Sequence, residues 1–126
     1  MNDDLHYIEF TRNLIVTNDN IDDIMCAALE GGITYWCGKA EVVGDYLGEY
    51  ASEQISRGGT LNLYDIEDGS VYELTLFKFL QGVRVYMENS DDPPIMYNNR
   101  IDTSEIDADA ADSIIQYALF GDIVYG

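Results

Sequence analysis

Twenty-four carboxylates against six basic side chains give this chain a formal charge of −18 over 126 residues. Such a surplus repels itself in the folded state and is hard to keep unless something selects for it. Apolar residues still make up 47% of the sequence, enough for a core in one domain of the commonest size range without metal or disulfide staples. The chain therefore reads as one folded domain over 1–126, not as a disordered acidic tail.

Apolar spacing sets the elements. Ile8, Phe10, Leu14 and Val16 alternate on one face, broken by Arg12, and predict a first strand. Asn18-Asp19-Asn20 supplies cap chemistry for a helix with Ile21, Ile24, Met25, Ala28 and Leu29 on one stripe, stopped by Gly31-Gly32. Short extended pieces are expected at 33–37 and 40–43, and a short helix at 47–57 with Glu53 and Arg57 paired at i, i+4. Residues 60–65 and 70–74 read as a hairpin across Glu67-Asp68-Gly69, since Asp-Gly suits a tight turn. Thr75 caps a second helix carrying Leu76, Phe79, Leu80, Val83 and Met87 on one stripe. Pro93-Pro94 centres a loop over 88–99, and a third helix runs from about Ala108 to its stop at Gly121. Residues 123–125 add a terminal strand. The order fits an α+β fold: a small antiparallel sheet with a hairpin, covered by about three helices.

Composition also narrows the partners. Met1-Asn2-Asp3-Asp4 has neither a basic nor an apolar leader region, so no signal peptide is visible, and no apolar run approaches the roughly 20 residues that span a bilayer. The negative charge argues against anionic membranes and against direct binding of nucleic acid. Cys26 and Cys37 lack CxxC or zinc-type spacing and sit in apolar surroundings, which predicts reduced buried thiols in a cytoplasmic protein.

Three stretches carry a resemblance: Gly31-Gly32-Ile33-Thr34-Tyr35-Trp36-Cys37, Val42-Val43-Gly44-Asp45-Tyr46-Leu47-Gly48-Glu49-Tyr50 and Ile114-Ile115-Gln116-Tyr117-Ala118-Leu119-Phe120-Gly121. Through them the chain resembles a family of small acidic proteins encoded on phages and other mobile elements. The resemblance implies a context, counter-defence against restriction or CRISPR systems, and assigns no residue a role.

The acids gather in segments. Asp65, Glu67, Asp68 and Glu73 ring the hairpin, Glu88, Asp91 and Asp92 lie in the proline loop, and Asp102, Glu105, Asp107, Asp109 and Asp112 precede or open the last helix. No basic residue occurs from Ile101 to Gly126. A compact chain of this length measures roughly 35 Å across. That length of duplex DNA bears about 20 negative charges, so the chain could offer a basic cleft what one turn of duplex would. Three plainer accounts compete: carboxylates at a helix start favour the dipole, surface acids keep a small protein soluble, and a saline habitat acidifies a whole proteome.

Catalytic patterns are missing. Asp107-Ala-Asp109-Ala-Ala-Asp112 lacks the calcium-loop spacing, so no metal is expected. His6 is the only histidine, the serines sit in no GxSxG or SxxK context, and the glycine pairs lack a phosphate loop's lysine. No catalytic residue and no cofactor is expected; a paired-carboxylate hydrolase is the third-ranked reading. The expected function is a non-catalytic nucleic-acid mimic that inhibits a basic DNA- or RNA-handling protein. Its candidate face is Asp102, Glu105, Asp107, Asp109 and Asp112, with Glu88, Asp91 and Asp92 beside them. The alternative is an interaction module working through an aromatic patch drawn from Tyr35, Trp36, Tyr46, Tyr50, Tyr64, Tyr72, Tyr97 and Tyr125, its acids serving solubility.

Overall fold

A computed structural model describes residues 4–126. Met1, Asn2 and Asp3, on which the leader reading partly rests, lie outside the described residues. The chain folds as α1 (Asn18–Ala27), β1 (Cys37–Val43), β2 (Thr60–Asp65), β3 (Val71–Leu74), α2 (Leu76–Glu88) and α3 (Ala108–Phe120). The three strands form one antiparallel sheet in the order β1-β2-β3. This is the expected α+β architecture.

The sheet buries one face. Ala40 pairs with Leu63 and Val42 with Leu61, while Leu63 pairs with Tyr72 and Leu61 with Leu74. These side chains point into the core, as alternation in a one-sided antiparallel sheet requires. On the outer face Lys39 opposes Tyr64 and Glu41 opposes Asn62. There the Tyr64 hydroxyl donates to Glu41 Oε1 at 2.8 Å, and Lys39 Nζ meets Glu41 Oε2 at 3.0 Å. Tyr64 and Tyr72 therefore occupy opposite faces of the sheet.

The three apolar stripes close the core: Ile21, Ile24, Met25 and Ala28 from the first helix, Phe79 and Val83 from α2, Ala111, Ile114 and Ile115 from α3. Thr17, not Asn18–Asn20, is the cap of α1. Its hydroxyl accepts from Asn20 N–H at 3.2 Å while Asn20 Oδ1 accepts from Thr17 N–H at 2.9 Å, a reciprocal capping box. The helix then widens into a π-turn over Ala28–Gly32, where Gly32 lies so near the Ala108 carbonyl that a Cβ would fall 2.5 Å from it. Gly69 and Gly121 adopt the positive φ values of 72° and 73° that the hairpin turn and the end of α3 demand.

Four expected elements do not form as read. Residues 33–36 are turns rather than extended, and β1 begins only at Cys37, because the N–H groups of Ile33, Trp36 and Cys37 close turn bonds to the carbonyls of Ala28 and Ile33. Residues 47–57 make only a 3-10 turn at Ala51–Glu53, and side chains hold the irregular backbone before it: Glu53 Oε1 accepts from the N–H groups of Glu49 and Tyr50, and buried Gln54 accepts from that of Leu47. The Glu53–Arg57 pair does form, at 3.7 Å. Residues 123–125 are no strand; the Gln116 side chain binds their backbone instead. The first strand is absent as well, since residues 8–16 pair with none of the three strands. Only Ile15 bridges, in parallel, to Arg100.

Candidate acidic site and its surroundings

Four of the eight expected acids, Asp102, Glu105, Asp107 and Asp109, lie together at the start of α3, where the turn that follows Asp102 is tied to α1. Asp102 caps a 3-10 turn (Thr103–Glu105), its carboxylate accepting from Ser104 N–H at 3.2 Å. Asp107 caps α3, accepting from Ala110 N–H at 2.9 Å. Glu105 and Asp109 stand exposed beside these caps. The proline loop that carries Asp91 and Asp92 doubles back toward this stretch: Asp102 N–H donates to the Pro94 carbonyl at 2.8 Å, and Ile95 bridges Ile101.

Two acids that sequence reasoning left out belong here. The Thr103 hydroxyl donates to Asp23 at 3.1 Å, which ties the polar face of α1 to the turn, and Asp19 lies one helical turn before Asp23. The i, i+4 spacing opposite the Ile21 stripe was the available signal. Ion pairs of the described residues join Lys39 to Glu41, Arg57 to Asp22 and Glu53, and Arg84 to Glu88. None of them involves a carboxylate of this rim.

The other two expected acids are engaged elsewhere. Glu88 binds Arg84 Nε at 2.9 Å on the far side of α2. Asp112 is built into an aromatic network, accepting from the Tyr35 hydroxyl at 2.6 Å, Trp36 Nε1 at 2.9 Å and Gln116 Nε2 at 3.0 Å. The same network holds the last residues. Tyr125 stacks on Trp36 with ring centroids 4.7 Å apart, and its hydroxyl donates to Asp65 at 2.5 Å and lies 3.0 Å from that of Tyr72. Trp36, Tyr72 and Tyr125 are thus packing residues. The aromatic patch read from the sequence keeps Tyr35, Tyr46, Tyr50 and Tyr97 as exposed members.

The network has a pH signature. Burial, then the bond to Asp112, pushes the Tyr35 hydroxyl up from 10.0 to about 12. The Tyr125 hydroxyl is pushed up too, chiefly by its bond to Asp65. A phenol whose folded pKa is raised contributes stability that is complete below pH 10.0 and is lost as pH rises through about 12. Melting temperature should therefore fall more steeply across that window in the native chain than in Tyr35→Phe; identical slopes would show that Tyr35 does not titrate against Asp112.

The fold shifts further titratable groups. The fold pushes Glu41, Glu53 and Asp65 down, each by hydrogen bonds to the charged form, the opposite of what a general acid needs. Burial pushes the Cys37 thiol up, and Cys26 and Cys37 are both free. Among the described residues no group of three or more His, Cys, Asp or Glu is placed to hold a metal, and no helix is long and apolar enough to cross a membrane. Compared with models of protein families, with curated proteins and with solved structures, the chain matches none.

Proposed function

We propose that this chain is a non-catalytic ligand of a basic, nucleic-acid-handling protein, whose DNA or RNA site it blocks by offering carboxylates in place of phosphates. The observation that carries this reading is the rim itself: Asp102, Glu105, Asp107 and Asp109 at the start of α3, Asp91 and Asp92 on the loop that folds back toward them, and Asp19 and Asp23 from α1, none of them in an ion pair among the described residues. Fixed carboxylates on capped turns lose little freedom on meeting a guanidinium cleft, and such a contact gains from steering and counterion release. Nucleases of restriction or CRISPR type are the targets that the resemblance to mobile-element proteins suggests.

The test uses purified nucleases of both types, with DNA binding and cleavage measured against added protein at several salt concentrations. The native chain should displace duplex, with an inhibition constant that weakens steeply as salt rises. The sixfold variant D91N/D92N/D102N/E105Q/D107N/D109N keeps both caps, because an amide oxygen still accepts a hydrogen bond. It should inhibit at least tenfold less, about 1.4 kcal/mol, and with a flatter salt dependence. Equal potency of the two proteins would sink the reading.

A further inference from the structure

Residues 5–10 leave the fold bare. Leu5, Tyr7, Ile8 and Phe10 are 52%, 84%, 86% and 74% exposed, and their backbone makes no hydrogen bond to the rest of the described chain. Ile8 and Phe10 continue the alternating face whose inner half, Leu14 and Val16, packs against the core. One strand-like face is therefore half covered and half uncovered. An extended segment is not stable by itself in water, and a run of large exposed apolar side chains marks a contact surface.

A groove of about 880 Å³ opens at the root of this arm, with Leu14, Val16, Leu80, Val83, Met87 and Ile95 as its apolar walls. Arg12 and Arg84 stand on its rim, and Arg100 lies beside it across the bridge to Ile15. Half of the six basic residues thus gather at one place on a molecule of charge −18. A second copy meets like charge over most of its partner's surface, but here, although Arg84 is paired to Glu88 in the same groove wall, Arg12 and Arg100 leave the rim net positive, and its own arm brings Glu9 between Ile8 and Phe10. Filling the groove with the arm of the same copy would need a sharp reversal within Phe10-Thr11-Arg12-Asn13, which contains neither glycine nor proline.

We propose that two copies of this chain exchange their arms, Ile8 and Phe10 of each entering the groove of the other while Glu9 faces the arginines on its rim. Each copy supplies both arm and groove, so the contact is self-complementary and closes as a two-fold dimer. Phe10 covers about 150–250 Å², and Ile8 adds to it on the same face. Two such faces and the walls they cover come to roughly 1,200 Å², the lower end of a stable interface. The exchange uses no residue of the acidic rim, so it can fail while the proposed function holds, and the reverse.

Light scattering after size exclusion, on the full chain across a range of concentrations at moderate salt, reads the result. The native chain should show twice the mass of one chain. The variant I8D/F10D should raise the dimer Kd at least a hundredfold with circular dichroism unchanged, since neither side chain contributes to the core, and Leu80→Glu should act likewise from the groove side. Oxidising a mixture of Phe10→Cys and Leu80→Cys chains should join two different chains, beyond any background that Cys26 and Cys37 give in the native protein. Three results would each overturn the exchange: a monomer at every concentration, a dimer indifferent to I8D/F10D, or a disulfide closing within one chain of the double variant F10C/L80C.

Discussion

Gln116→Leu should lower the free energy of unfolding by about 3 kcal/mol and shift the fluorescence of the single tryptophan to the red. Leucine matches glutamine in bulk, so the loss reports polar bonds rather than a cavity. Gln116 is 1% exposed on α3, and its oxygen accepts from Val124 N–H at 2.7 Å and from Tyr125 N–H at 2.8 Å. Its amide nitrogen shares two hydrogens among Asp112, the Tyr35 hydroxyl and the Tyr125 carbonyl, at 3.0, 3.2 and 3.3 Å. Each buried group left without a partner costs about 1–3 kcal/mol, and the sum is discounted because a released tail reaches water. Release also lifts Tyr125 off Trp36 and breaks its hydroxyl bond to Asp65, so stability and emission should move together. Urea titration followed by fluorescence and by circular dichroism checks this. A variant within about 0.5 kcal/mol of the native chain, its emission unmoved, would mean that the ring stack alone holds the tail.

The same residue shows where sequence reading stops. A glutamine in the stripe Ile114-Ile115-Gln116 gives no sign that its partners are backbone groups eight and nine residues away. Residues 123–125 alternate like a strand, yet their donors are satisfied by one side chain instead of a neighbouring strand. The same holds at 47–57, where the Glu53 and Gln54 side chains hold the N–H groups of Glu49, Tyr50 and Leu47 in an irregular backbone. What could be read were elements defined by local chemistry: the three stripes of α1, α2 and α3, the Thr75 cap, the turn at Gly69 and the stop at Gly121. Each depends on residues within a few positions of one another, whereas the misread segments depend on who their neighbours are in space.

The acidic rim divides in the same way. Asp102, Glu105, Asp107 and Asp109 are close in sequence and remain close in space, and the proline loop that carries Asp91 and Asp92 doubles back toward them. Asp112 has the same composition and the same helix, but it falls on the side of α3 that meets Tyr35 and Trp36, so its charge is spent inside the fold. Glu88 follows α2 to the opposite side and Arg84. Arg12, Arg84 and Arg100 are separated by more than seventy residues along the chain from first to second, and only the packing of the arm's root against α2 makes them neighbours.

Gly82→Val should destabilise the protein by about 3 kcal/mol, at the upper end for overpacking, because the obstacle is backbone. A Cβ on Gly82 would collide with the Ile114 carbonyl oxygen and lie 2.7 Å from Ala118 Cβ and 2.8 Å from Ala118 N, so α2 and α3 would have to separate. Those two helices carry Phe79, Val83, Ile114 and Ile115 into the core, and prising them apart loosens all four. Gly82→Ala isolates the sign of the effect. Alanine gains about 1 kcal/mol of helix propensity over glycine, yet its single methyl already meets the collision, so a net loss is expected. Gly31→Ala is the control: nothing lies within 4 Å of its Cβ position, and the substitution should be neutral or stabilising by a few tenths of a kcal/mol. Thermal and urea unfolding of the three variants decides it. Gly82→Ala equal to or better than the native protein would mean that the helices slide apart without loss, and the close crossing of α2 and α3 would then not be what fixes their spacing.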